Sequence, residues 1–201
     1  MPRATAAETR DRILDVTAGL MRTAGLAGAT TREIARSAGL TEAALYRHFK
    51  SKEDLLSCML AERQPAFVGI LKELPERVGT ASVRDNLQRV AEAAVPHFQM
   101  SLPVLASIFA DPTLLARHRA WANETGRGPQ RANAALTQYL CAEAQAGRLV
   151  SDVEPDVIAD LLLGACLQRA FHTEFVGHAP DARSAAEFAA LIVSALLRDT
   201  P

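Results

Sequence analysis

The sequence predicts an all-α chain, a small N-terminal three-helix bundle followed by a larger helical body, and three observations predict it. Apolar residues recur at the three- and four-residue spacing of a helix face, and no stretch reads as strand-turn-strand. Alanine, leucine, arginine and glutamate dominate the periodic stretches, while only 5% of residues are aromatic. Prolines 65, 96, 103, 112, 129, 155 and 180 punctuate the body. With 201 residues, 49% apolar and 22% charged, the chain has material for a sizeable core.

The first helix covers about 8–24, where Ile13, Leu14, Thr17, Leu20, Met21 and Ala24 share one face and Gly25 acts as a stop. Thr30 caps a second, short helix, with Glu33 placed to complete a capping box and Gly39 to end it. Thr41 caps a third, about 42–48. Ser51 caps a fourth, with Glu53 and Asp54 in its first turn and Pro65 expected to kink it within 52–77. Further helices are expected near 82–100, 103–110, 112–124, 129–146, 155–177 and 183–198, with Pro112, Pro129 and Pro155 at first helical positions. The stretch 123–128 is the best loop candidate.

Two short capped helices joined by Ala38-Gly39-Leu40-Thr41 fit a helix-turn-helix. Ile34, Leu40, Leu45 and Phe49 supply a small core beneath it, and Ala35 allows close packing. The third helix then presents Glu42, Ala43, Ala44, Tyr46, Arg47 and His48. Charge agrees: residues 1–52 hold nine Lys/Arg against five Asp/Glu, a balance of +4, whereas 53–201 hold thirteen against eighteen, a balance of -5. A basic head on an acidic body suits contact between the head and a polyanion.

The run from Thr30 to Thr41, followed by Ala44-Leu45-Tyr46-Arg47-His48-Phe49-Lys50-Ser51-Lys52-Glu53-Asp54-Leu55-Leu56, closely resembles the tetracycline-repressor family of regulators over roughly 8–56. The resemblance implies a DNA-binding domain over 1–56 and a helical ligand-binding and dimerisation domain over 57–201. It assigns phosphate contacts to Thr31, Tyr46, His48 and Lys52, and base reading to Thr41, Glu42, Ala43, Ala44 and Arg47. Small polar residues are commoner where Ala43 and Ala44 stand; two alanines offer only apolar contact, to a thymine methyl for example. The implied activity is ligand-responsive repression of transcription from an inverted-repeat operator, in the cytoplasm.

In the body, Phe188–Leu197 is apolar except for Ser194, and 161–167 is similar. A helix apolar all round needs cover on every side, so 155–177 and 183–198 are expected to pair with a second copy. The resemblance places the dimer interface on the last two helices as well. It also implies a small-molecule cavity, for which Phe67, His97, Phe98, Met100, Phe109, His118, Trp121, Tyr139, Arg169 and His172 are candidate lining residues. Arg169 would neutralise an anion or be ion-paired within the protein.

Other chemistries lack their residues. Cys58, Cys141 and Cys166 show no ligand or disulfide spacing and read as thiols in a reducing compartment. His172 and His178 fall on separate helix faces, so no metal site is expected. Glu-x-x-His pairs, nucleophile pairs and phosphate loops are missing, so neither enzyme nor cofactor is expected. No signal peptide opens the chain, and its apolar runs read as too interrupted for a membrane span. The alternative, a ligand-independent architectural DNA-binding protein, would need a basic surface extending past the head, which the acidic body does not offer.

Overall fold

The computed structural model describes residues 5–63, 65–126, 128 and 130–197, and these form ten α-helices with no strand. They are α1 (Ala6–Gly28), α2 (Thr31–Ser37), α3 (Glu42–Leu45), α4 (Lys52–Glu62), α5 (Pro65–Arg77), α6 (Val83–Ala110), α7 (Pro112–Thr125), α8 (Gln130–Gln145), α9 (Pro155–Val176) and α10 (Ala185–Leu196). The described residues up to Pro65, together with Pro103–Trp121, form one compact unit, and Ala66–Leu102 with the residues from Ala122 onward form a second.

In the first unit, α1 packs on α2 and α4, and α2 packs on α3. Ile13, Leu14, Ala18 and Met21 of α1 are buried with Ile34, Leu45, Phe49, Leu55 and Met59. The inward stripe of α1 differs slightly from expectation: Ala18 belongs to it, and Ala24 is exposed. Gly25 does stop the regular helix, with φ 64°, before a last turn runs to Gly28. Ion pairs fasten α1 to the end of α4. Arg10 grips Glu62 through two bonds of 2.7 and 2.8 Å, and Arg63 holds Asp15 at 2.7 Å and Asp11 at 2.6 Å.

The second unit has one core, drawn from Phe67 and Leu74 of α5, Leu87, Val90 and Ala91 of α6, Leu136, Tyr139 and Leu140 of α8, Ile158, Leu162 and Cys166 of α9, and Ala189 and Val193 of α10. A buried polar chain crosses it. Arg77 donates to Asn86 (3.1 Å), Asn86 donates to the Tyr139 hydroxyl (2.9 Å), and fully buried Glu143 accepts from Arg148 (2.7 Å) and the Gly79 amide (3.2 Å). Each polar atom so held avoids the cost of an unmet partner.

Two boundaries at prolines differ from the sequence expectation. Pro65 begins α5 after α4 has ended at Glu62, so the chain breaks into two helices rather than kinking within one. Pro103 does the reverse: α6 runs unbroken through it, as the expected 82–100 helix already ran through Pro96, and the Ser101 hydroxyl donates to the carbonyls of His97 (3.0 Å) and Phe98 (3.2 Å) between the two prolines. The apolar face of α6, buried along Leu87, Val90, Ala91, Ala94 and Val95, offsets the lost backbone bonds. By length and composition α6 is therefore able to cross a membrane, contrary to the reading of its runs as interrupted, yet that face belongs to the core. Pro112 and Pro155 do open α7 and α9, while Pro129 lies outside the described residues.

Candidate nucleic-acid interface

The geometry of the head follows from four short-range bonds. Thr30 caps α2 by accepting from the Glu33 amide (3.1 Å). The expected capping box does not close, because the Glu33 carboxylate is taken by Arg36 (2.9 Å) and Ser37 (3.2 Å). At the other end of α2, Leu40 N–H donates to Ala35 O (2.8 Å) and Gly39 N–H to Arg36 O (3.1 Å), with Gly39 at φ 68°. That pair of bonds is a Schellman motif, which turns the chain sharply into α3. Thr41 then caps α3 by accepting from Ala44 N–H (3.2 Å).

α3 is shorter than the expected 42–48. After Leu45 the chain tightens, with Arg47 N–H bonded to Ala44 O and His48 N–H to Leu45 O, before Phe49 drops into the core. Arg10 lies over the Phe49 ring at 5.3 Å while it holds Glu62, so one guanidinium braces the base of the reading segment against α1 and α4. The Glu62 carboxylate keeps Arg10 protonated at any accessible pH.

Of the nine residues assigned to DNA, Thr41, Glu42, Ala43, Tyr46 and Arg47 are exposed, and Thr31, His48 and Lys52 are half-buried. Ala44 departs from its assignment: only 8% exposed, it faces the core beside Leu45 and is not on the reading surface. Tyr46 is 46% exposed. Thr31 and Glu42, assigned separately, are joined: the Thr31 hydroxyl donates to Glu42 Oε1 at 2.7 Å. Sequence spacing gave no hint of this bond across eleven residues. Lys52 occupies the first position of α4, where Ser51 caps the Asp54 amide (3.2 Å) and Asp54 accepts from the Lys50 amide (2.9 Å).

The ten residues expected to line a ligand cavity are divided between the two units: Phe109, His118 and Trp121 belong to the first and the other seven to the second. Phe67, His97 and Phe98 form an aromatic cluster in the second unit, with centroids 4.6 Å apart for Phe67–His97 and 5.5 Å for His97–Phe98. Burial there lowers the His97 pKa to about 4, so the ring is neutral near pH 7. His118 and Trp121 stack at 5.5 Å in the first unit, and Phe109 is 67% exposed. Met100 is half-buried. The polar ends of Tyr139 and Arg169 are committed elsewhere. Tyr139 belongs to the buried polar chain. Arg169 is bound to Asp181 (3.1 Å) and the Arg183 carbonyl (2.7 Å), with its guanidinium 4.6 Å from the Phe188 ring centroid. Of the two readings of Arg169, the internal ion pair is the one observed. His172 Nδ1 is buried without a hydrogen-bond partner. No group of three or more potential metal ligands occurs among the described residues.

Known proteins match this arrangement at two scales. The family model described as bacterial regulatory proteins, tetR family, matches residues 13–58. The regulator SrpR of Pseudomonas putida is 45% identical over 67 residues, which cover 32% of this chain and 32% of SrpR; a second, TtgW, matches over half its own length. The uncharacterised regulator YvkB of Bacillus subtilis is 23% identical over 95% of this chain and 98% of its own. Among solved structures, a TetR-family regulator from Mesorhizobium loti superposes with a TM-score of 0.70 at 21% identity, covering 96% of both chains. FadR of Bacillus subtilis in complex with stearoyl-CoA superposes with a TM-score of 0.65 at 16% identity, over 94% of this chain and 97% of its own.

Proposed function

We propose that this chain, which belongs to the TetR family of bacterial regulatory proteins, is a homodimeric repressor that leaves an inverted-repeat operator when a small molecule binds its helical body. The observation that carries the reading is the capped helix-turn-helix whose outer surface offers Thr41, Glu42, Ala43, Tyr46 and Arg47 together. A rigid turn and a braced Phe49 hold these side chains as one surface, as groove reading requires. Tyr46, His48 and Lys52 would meet phosphates beside it.

The body reading keeps 57–201 as the ligand-binding and dimerisation domain. Its support for pairing is a stripe on α9: Val157, Leu161, Phe171 and Phe175 are 43%, 51%, 53% and 79% exposed, with Leu191 of α10 at 53%. So much apolar surface in one band is characteristic of a subunit interface. A second copy is the occupant we assign to it. The stearoyl-CoA complex of FadR supports a small-molecule site in a body of this fold, and the Phe67–His97–Phe98 cluster suits an apolar ligand group. Ligand and operator would compete because each favours a different conformation of the dimer. We place the protein in the cytoplasm, with its operator.

Fluorescence anisotropy with duplexes from the intergenic DNA beside the protein's own gene tests the reading. The full chain should bind one such duplex at least a thousandfold tighter than scrambled DNA, on the order expected for specific readers. Equal affinity for all duplexes would favour a ligand-independent architectural protein instead.

A further inference from the structure

Glu42 is an acid on a surface assigned to a polyanion. It is exposed at the start of α3, beside Thr41 and Ala43, and it is the one acidic residue in the segment 34–52. An ionised carboxylate only accepts hydrogen bonds. Near DNA it is repelled by phosphates and loses water, so it is tolerated in the groove only where a base offers it a donor.

Thr31 narrows which base that is. Its hydroxyl donates to Glu42 Oε1 at 2.7 Å, which leaves Oε2 of this exposed carboxylate as the oxygen to accept from a base. The major groove offers two donors, cytosine N4 and adenine N6. Adenine sets the N7 lone pair next to N6, which repels a carboxylate. Cytosine has only a C–H beside its amino group. Guanine and thymine present acceptors on their groove edges and would leave Oε2 desolvated and unmet.

We propose that Glu42, positioned by Thr31, selects a cytosine at one fixed place in each operator half-site; this rests on the DNA-binding reading above. Thr31 then acts through Glu42 as a positioning residue, its hydroxyl proton spent on the carboxylate rather than on a phosphate.

Selection from randomised duplexes with the full-length protein, followed by affinity measurements on single-base variants, tests it. The wild type should enrich an inverted repeat with cytosine at one symmetric position, and replacing that cytosine should weaken binding by about ten- to a hundredfold. Glu42→Gln should move the preference to adenine, since a carboxamide pairs with N6 and N7 together. Glu42→Ala should make that position indifferent and leave the preferences at other positions unchanged. Thr31→Val should blunt the cytosine preference at an unchanged melting temperature, and Thr31→Ser should retain it. Should Glu42→Ala keep the cytosine, or weaken every duplex equally, the base assignment is overturned. A full cytosine preference in Thr31→Val overturns the positioning role. A wild type that enriches no sequence overturns the DNA-binding reading itself, a result distinct from the others.

Discussion

Lys52 and Tyr46, both proposed to meet phosphates, illustrate what a single side chain would contribute at a charged interface. Lys52 sits at the first position of α4, whose positive dipole end adds to its charge, and Tyr46 has an exposed ring that carries a hydroxyl. Both suit phosphate oxygens, which carry no sequence information. Lys52→Ala should therefore weaken binding to every operator variant alike and reduce the slope of log affinity against log salt by about one unit. Tyr46→Phe should weaken all variants equally with the slope unchanged, because no charge is lost. Anisotropy titrations at four salt concentrations check both, and an effect confined to one base position would refute the phosphate assignment. His97 supplies a prediction of another kind. Its pKa is lowered to about 4 by burial, whereas in the unfolded chain it titrates near the ordinary 6.5. Above pH 6.5 both states are neutral and the group is without effect. As pH falls from 6.5 towards 4 the unfolded chain takes up a proton that the folded one refuses, and stability falls by up to about 1.4 kcal/mol per pH unit. Urea unfolding at pH 7, 6 and 5 should show this, and His97→Phe should flatten the dependence; an identical profile for the variant would contradict it. Residues of this kind mark where sequence reading stops. The 30–41 motif located the head, and Thr30, Thr41 and Ser51 cap as their types suggest. Which way Ala44 faces was not legible, because the helix tightens just after it. Nor was the partner of the Glu33 carboxylate, which Arg36 and Ser37 take. The Thr5–Glu8 capping box was spelled in the chain and moves the start of α1 two residues ahead of the expected one.

At the scale of the helix, α9 shows why an all-round apolar pattern announces a partner. Its inner face, Ile158, Ala159, Leu162, Leu163, Cys166 and Ala170, is buried in the core of the second unit. Its outer face repeats the apolar character at Val157, Leu161, Phe171 and Phe175, and the two phenyl rings stack at 5.5 Å. Amphipathic logic would have made that face polar. Phe171→Asp should leave the fold intact, since the side chain is already 53% exposed, while placing a charge where a dimer would bury it. Light scattering should then report a monomer with wild-type circular dichroism, against a dimer for the wild type. A wild type that is itself a monomer would refute the interface. Ile192 of α10 is a poorer probe because it packs against the core, where a charge would unfold the chain. Helix periodicity made α9 and α10 legible, since long apolar stripes dominate there. It failed at Pro103, where tertiary packing along α6 outweighs the local preference of proline to break a helix.

For the whole molecule, the question is how a head with few polar base-reading groups becomes specific. With Ala44 buried, Ala43 offers a methyl, and on the proposed reading base-directed hydrogen bonds would fall to Thr41, Glu42 and Arg47. Three such groups discriminate modestly. Two heads joined in one dimer add their free energies, and once the first is seated the second meets its half-site at high effective concentration, a gain of roughly a hundred- to ten-thousandfold. In the proposed dimer, specificity would belong to the pair and be read as an inverted repeat, its half-sites about one helical turn or a small multiple apart. The same coupling would give a ligand its leverage, for a change in how two heads are held would reach DNA without altering any contacting side chain. The monomeric Phe171→Asp variant isolates this effect, because its heads keep every residue from Thr30 to Lys52. It should bind the intact operator at least a hundredfold more weakly than the wild type, with about half the salt slope and with equal affinity for a single half-site and the full repeat. The wild type should strongly prefer the full repeat and protect it symmetrically in footprinting. If the monomeric variant bound the operator as tightly as the wild type, one head would suffice, and the two-headed account of specificity and release would have to be abandoned.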